Sequence, residues 1–157
     1  MKLDRTDRRI LDQLQQHGRI SNLELAERVG LSPTPCSRRV KQLEEAGLIV
    51  GHATLLNPDR LNLKLTALIH ISMDRHTPDR FENFENSVAQ YPEVIECSLV
   101  TGQTADYMLK VVVPDMDAYQ AFLLGKITRI AGVSGVQSSF IMRRVIARTA
   151  LPLDYLE

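Results

Sequence analysis

The sequence predicts an α+β fold in two parts, an N-terminal winged helix-turn-helix followed by a C-terminal ferredoxin-like βαββαβ domain. Three observations carry that prediction. Two short helices joined by a tight turn, the second with a basic first half, are legible over residues 21–47. Beyond Asn57-Pro58-Asp59-Arg60 the apolar spacing shifts from three-and-four to alternation. Strand and helix patterns then follow in the order β-α-β-β-α-β. The expected boundaries are 1–54 for the first domain, 55–63 for a linker and 64–157 for the second.

A first helix is predicted to start near Asp4, with Asp7 favouring its positive end and Ile10, Leu11 and Leu14 as its apolar stripe. His17-Gly18 stops it. Ser21 and Glu24 have capping-box spacing for a second helix, Leu25, Ala26 and Val29 give it one apolar side, and Gly30 can take the left-handed conformation that ends it. Ser32-Pro33-Thr34-Pro35 allows two starts for the third helix, Ser32 capping with Pro33 at the first position or Thr34 capping with Pro35. Cys36, Val40 and Leu43 then repeat at helical spacing while Ser37, Arg38 and Lys41 face elsewhere. The apolar run Leu48–Leu56, broken at Gly51 and His52, is expected to form two short strands, a hairpin wing. Asn-Pro disfavours helix at Asn57 and marks the boundary.

In the second domain Leu65, Ala67, Ile69, Ile71 and Met73 alternate with more polar residues, as in a half-buried strand. Pro78 and Asp79 open a helix with Phe81, Phe84 and Val88 on one side, ended by Tyr91-Pro92. Strands are expected over 94–101 and 107–113 with a turn at 102–106. Asp115 caps a helix on which Met116, Tyr119, Leu123, Ile127 and Ile130 recur, and a last long strand runs from Val136 to about Arg148. Four strands with both helices on one face leave the other face to meet a partner, most simply a second copy. The apolar Leu151-Pro152-Leu153 tail is expected to pack on something.

Composition is that of a globular chain, 44% apolar and 24% charged, with a net charge of zero. Residues 1–63 carry 10 Lys/Arg against 8 Asp/Glu and residues 64–157 carry 9 against 11, a small asymmetry of the sign expected for nucleic-acid contact at the N-terminal end. No secretory leader or membrane-spanning run is legible, which points to the cytoplasm. Cys36 and Cys97, on apolar faces, read as reduced buried thiols. The four histidines lack metal-ligand spacing, and no paired carboxylates, phosphate loop or activated nucleophile is legible, so neither metal nor cofactor nor catalysis is expected.

The expected chemistry is recognition of double-stranded DNA. Ser32, Thr34, Ser37, Arg38 and Lys41 are the base-contact candidates, because guanidinium and ammonium groups pair with guanine edges and hydroxyls serve several bases. Pro35 shapes the helix start beside them. Arg39 points about 100° from Arg38 and is expected on a phosphate, on Glu44 or on another acid within the domain. Asn22, Arg19 and His52 are the remaining phosphate candidates.

LDRTDRRIL at 3–11, GRISNLELAERVGLSPTPCSRRVKQLEEAGLI at 18–49, LLNP at 55–58 and LVTGQTADYMLKVVVPDM at 99–116 together resemble the Lrp/AsnC (feast/famine) transcription regulators over nearly the whole chain. The resemblance implies a winged helix-turn-helix joined to a ligand-sensing βαββαβ domain. That domain would dimerise through its sheet, assemble into tetramers or octamers, and bind an amino acid or related metabolite between subunits to activate or repress transcription on the bacterial or archaeal nucleoid. It places the effector at Gly102, Gln103, Thr104, Ala105, Asp106 and Tyr107 with Met116, with glycine admitting the ligand to the backbone and Asp106 pairing with its ammonium. Three residues separate Gly102 from Asp106, where most relatives have two. Two other readings share these features: an architectural DNA-binding protein that ignores metabolites, and a sirohaem-decarboxylase-like enzyme on the same fold.

Overall fold

A computed structural model describes residues 2–102 and 105–156. The chain divides into two compact units, the first comprising the chain through Leu55 together with Ile146 onward, the second Leu56–Val145.

The first unit is built on three helices, α1 (Arg5–Gln16), α2 (Asn22–Val29) and α3 (Pro33–Glu45). Each start is written locally. Asp4 caps α1 in a capping box: its Oδ1 accepts from the Asp7 N–H at 2.7 Å, and Asp7 Oδ2 accepts from the Asp4 N–H at 3.0 Å. Ser21 and Glu24 make the same reciprocal pair at α2, both bonds 3.2 Å, and Gly30 ends that helix at φ +75°. Of the two starts open to α3, the chain takes the first, with Ser32 as the cap residue and Pro33 in the first turn. Ile10, Leu25, Ala26, Val29, Cys36 and Leu43 bury their side chains where the three helices meet, with Val40 and Ile49 packed around them. Burial pushes the Cys36 thiol up, as befits an inert core cysteine.

The expected wing is not formed. Residues 49–57 contain no strand, and Val50 is 98% exposed. A two-stranded ribbon of nine residues is marginal without a third strand or a packing face. Instead Leu48, Ile49 and Val50 line an apolar cleft of about 400 Å³ with Leu3, Leu11 and the tail's Leu151, Leu153 and Leu156. This also corrects the domain assignment of the tail, which was expected with residues 64–157 and belongs to the first unit.

The second unit is a four-stranded antiparallel sheet of β1 (Leu65–Met73), β2 (Val94–Leu99), β3 (Tyr107–Val113) and β4 (Val133–Phe140), in the order β2-β3-β1-β4, with α4 (Pro78–Val88) and α5 (Met116–Gly125). Alternate residues of the central strands, from Ala67 to Met73 and from Tyr107 to Val113, form one core with Phe84, Val88, Tyr119 and Phe122. The register pairs Leu68 with Lys110 and Ser139, and His70 with Met108 and Gln137, so these side chains share the opposite face, half-buried on β1 and β3 and exposed on β4.

Three elements have ends that differ from expectation. The strand expected over 94–101 stops at Leu99. The last strand begins at Val133 and stops at Phe140 rather than running from Val136 to Arg148. Its ladder ends because β1 ends: the Ile141 N–H reaches Thr66 O at 3.0 Å, and no strand lies beyond it. The helix expected to reach Ile130 stops at Gly125, a poor helix former, and one turn of 3-10 helix at Ile127–Arg129 follows. The break still lets Ile127 and Ile130 bury fully or nearly so, while Phe122 rather than Leu123 takes the core position.

Candidate functional site

The first candidate site is the exposed side of α3. Thr34, Ser37, Arg38 and Lys41 recur at i, i+3, i+4 and i+7, all are exposed, and exposed Ser32 stands at the head of the row. Cys36 and Leu43, on the other side of the helix, are 0% exposed, so the core fixes which side faces outward. Pro35 is half-buried beneath the row.

Arg38 and Arg39, adjacent in sequence, differ completely in surroundings. Arg38 makes no ion pair among the described residues. The Arg39 Nη1 meets Asp4 Oδ2 and Asp7 Oδ1, each at 2.7 Å, and Asp7 is 4% exposed. The two carboxylates hold Arg39 charged, the Asp7 bond contributing most. In turn the Asp4 carboxyl lies below the usual carboxylate range, chiefly through the Asp7 N–H and then through Arg39. Of the alternatives for Arg39, the structure shows the acid within the domain, which takes its charge out of the free reading surface. Asn22 is likewise engaged: its Nδ2 donates to Pro33 O at 2.9 Å, tying the start of α2 to the start of α3. His52 and Arg19 are exposed, and Lys41 has only an exposed partner, Glu45, at 3.7 Å.

The second candidate site is the turn between β2 and β3. Gly102 sits at φ +79°, a conformation that favours glycine. Gln103 and Thr104 lie outside the described residues, and Ala105 is 8% exposed. Asp106 locks the far side of the turn. Its N–H donates to Ile71 O at 2.8 Å, its carbonyl accepts from the Val100 N–H at 2.8 Å, and its Oδ2 accepts from the Met73 N–H at 2.7 Å. Its Oδ1 meets His76 Nε2 at 2.7 Å.

Two expectations change here. Both carboxylate oxygens of Asp106 are engaged, so its first task is to anchor the turn to β1 rather than to wait for an ammonium group. Tyr107 is a core residue, 1% exposed, edge-on to Phe81 and tilted against Phe84. Its hydroxyl donates to Glu85 Oε1 at 2.6 Å, and burial, then Glu85, pushes its pKa well up. It therefore positions the turn from beneath and offers no surface to a ligand. Met116, at the start of α5, is 51% exposed. His76 was missed from sequence: it lies 30 residues from Asp106 in the chain, and only the sheet brings the two together.

Among the described residues no cluster of His, Cys, Asp and Glu could hold a metal ion, and no helix is long and apolar enough to cross a membrane.

A three-helix unit with a free basic stripe on its third helix, joined to a βαββαβ unit with a glycine turn beside its central strands, defines a helix-turn-helix protein carrying a ligand-binding domain. Comparison with known proteins makes this specific. Residues 66–151 match the Lrp/AsnC ligand binding domain, and residues 3–50 match a winged helix-turn-helix DNA-binding domain. The chain is 48% identical to the leucine-responsive regulatory proteins of Klebsiella pneumoniae and of Escherichia coli (strain K12), over 143 residues that cover 91% of this chain and 87% of each of theirs. Among solved structures, a transcriptional regulator from Neisseria meningitidis in complex with L-Met aligns with TM-score 0.95 at 45% identity, covering 99% of this chain and 100% of that one. An AsnC family transcriptional regulator from Agrobacterium tumefaciens aligns with TM-score 0.92 at 40% identity, with the same coverage. The chain belongs to the Lrp/AsnC family.

Proposed function

We propose that this chain is a sequence-specific, DNA-binding transcriptional regulator that answers to an amino acid with an apolar side chain. The observation that carries the reading is the division of labour on α3. One arginine is neutralised by Asp4 and Asp7 and holds the helix in place, while Arg38 has no ion-pair partner among the described residues and Lys41 has only the exposed Glu45, both beside three exposed hydroxyl groups. A guanidinium without an internal partner, on the outer face of a well-anchored helix, suits base reading in a major groove. The family membership and the names of the relatives support the same reading.

The effector site is placed at the turn 102–106, with Gly102 exposing backbone and Asp106 anchoring the turn to β1 through Met73. A leucine-responsive relative and an L-Met complex support an apolar amino acid as the ligand. The half-buried sheet face bearing Leu68, Met108 and Val112 is the surface through which two copies associate. A dimer then carries two reading units, suited to paired half-sites about one helical turn (~34 Å) apart. The effector acts by binding two assemblies with unequal affinity. The setting is the cytoplasm, on chromosomal DNA, and regulation rather than catalysis is the role.

Footprinting on the promoter next to its own gene, with and without leucine and methionine, tests this. Protection that changes in extent or spacing with either amino acid is expected. Protection that neither alters supports an architectural role instead.

A further inference from the structure

Arg5, Arg8 and Arg9 recur along α1 at three- and four-residue spacing. At 100° per residue, Arg5 and Arg9 stand about 100° or more around the helix from Asp4 and Asp7, the residues that face Arg39 of α3. With Arg148 of the C-terminal tail, these arginines line an open groove of about 740 Å³ within the first unit. Gln15 fixes the tail there. Its Nε2 donates to Leu151 O at 2.9 Å, and its Oε1 accepts from the Leu151 N–H at 2.8 Å.

The charge in this groove is only partly compensated, four arginines standing against two carboxylates. Among the described residues Arg5, Arg8 and Arg148 make no ion pair, and Arg9 donates to a main-chain oxygen, Arg28 O, at 2.8 Å. The acids lining the groove are Asp12, already accepting from Gln16 at 2.8 Å, and Asp154. The Arg8 Nε is buried without a hydrogen-bond partner, a costly donor to leave empty. Placement also works against the fold. Arg5, Arg8 and Arg9 lie in the first turns of α1, where the helix dipole disfavours cations, and the acids at that end are committed to Arg39. An anionic ligand in the groove would relieve this placement of cations against the helix dipole.

We infer that this groove is a second phosphate-contact site for duplex DNA, on a side of the first unit other than the reading face of α3. The inference rests on the DNA-binding reading above. An open, elongated row of guanidinium groups fits a run of backbone phosphates, each able to take a bidentate arginine, better than it fits one enclosed small anion. A unit with two DNA-contacting sides can hold a second run of backbone phosphates while α3 reads its own groove.

The test compares the full chain with the triple variant Arg5→Gln, Arg8→Gln, Arg148→Gln and with the corresponding triple Lys variant. Affinity for a long mixed-sequence duplex is measured between about 50 and 200 mM salt. Sedimentation and circular dichroism confirm unchanged assembly and folding. The Gln variant is expected to lose about 2 to 3 from the slope of log K against log salt, on specific and mixed sequence alike, and the Lys variant to retain it. An unchanged slope in the folded Gln variant overturns the inference. Loss of inorganic pyrophosphate binding in that variant, with the slope unchanged, also overturns it in favour of a free phosphorylated ligand. If the natural chain binds no duplex at all, this inference and the reading beneath it fall together, an outcome distinct from the other two.

Discussion

Arg38 and Arg39 are neighbours with opposite duties, and single substitutions separate them. Arg38→Ala is expected to cost about 1 to 3 kcal/mol at the specific DNA site and less on mixed sequence. Titration of both duplexes by anisotropy checks this, and equal losses would reduce Arg38 to a phosphate contact. Asp7→Ala removes a 4%-exposed carboxylate from both a helix cap and an ion pair. It should lower unfolding stability by about 2 kcal/mol, read from the urea midpoint. Asp4 sets a pH dependence. Its folded pKa lies below its ordinary 3.8, so its contribution is complete above that pH and fades as pH falls through the folded value. Asn caps about as well as Asp but cannot pair with Arg39 as an ion. The stability gap between the natural chain and Asp4→Asn is therefore expected to be present at pH 5 and to close towards pH 2. Caps of this kind were legible because both partners lie within three residues of one another. The Arg39–Asp4 pair spans 35 residues, so the sequence could offer an acid within the domain only as one alternative.

Elements whose partners are internal to the chain were largely read with their sides correct, the exceptions being Leu123, displaced by Phe122, and Cys97, expected buried and found exposed. The alternation of β3 named its buried residues one by one, and that of β1 did so from Ala67 to Met73, because a period of two leaves a single choice of face; at the start of β1 buried Thr66 and half-buried Leu65 depart from it. Elements that need something to pair with were overextended. The stretch around Gly51 and the chain beyond Phe140 are rich in β-formers, yet neither finds a strand beside it here. Propensity supplies the tendency and a neighbour supplies the ladder. At Gly132 the backbone itself carries a demand. Its φ is +98°, its carbonyl accepts from the Asp74 N–H at 2.8 Å, and an added Cβ would lie 3.0 Å from Met73 Cε. Gly132→Ala is expected to destabilise the second unit by about 1 to 2 kcal/mol through backbone strain and crowding, measurable by denaturant unfolding. The turn proposed for the effector was legible only in outline. Gly102 announces itself, but the role of Asp106 depends on Met73 and His76, which the sheet delivers from another strand and the chain following it.

At the scale of the whole molecule, the second unit has one covered sheet face and one that leaves Leu68, Met108 and Val112 half-exposed. Leu68→Asp is expected to shift the chain towards monomer in sedimentation velocity while leaving its circular dichroism intact, since the residue is outside the helix-side core. Charged groups facing one another across a closed interface cost several kcal/mol. In the proposed function the first unit reads DNA and the second decides when, through an apolar amino acid at residues 102–106. It is tested most directly by measuring, on one sample, duplex affinity and assembly mass while L-leucine and then L-methionine are titrated, in the natural chain and in Asp106→Ala. The expected result is a shift in affinity or mass with at least one of the two amino acids in the natural chain, and unaltered DNA affinity but no shift in the variant. A natural chain whose affinity and mass respond to neither, or a variant that responds as the natural chain does, would contradict it.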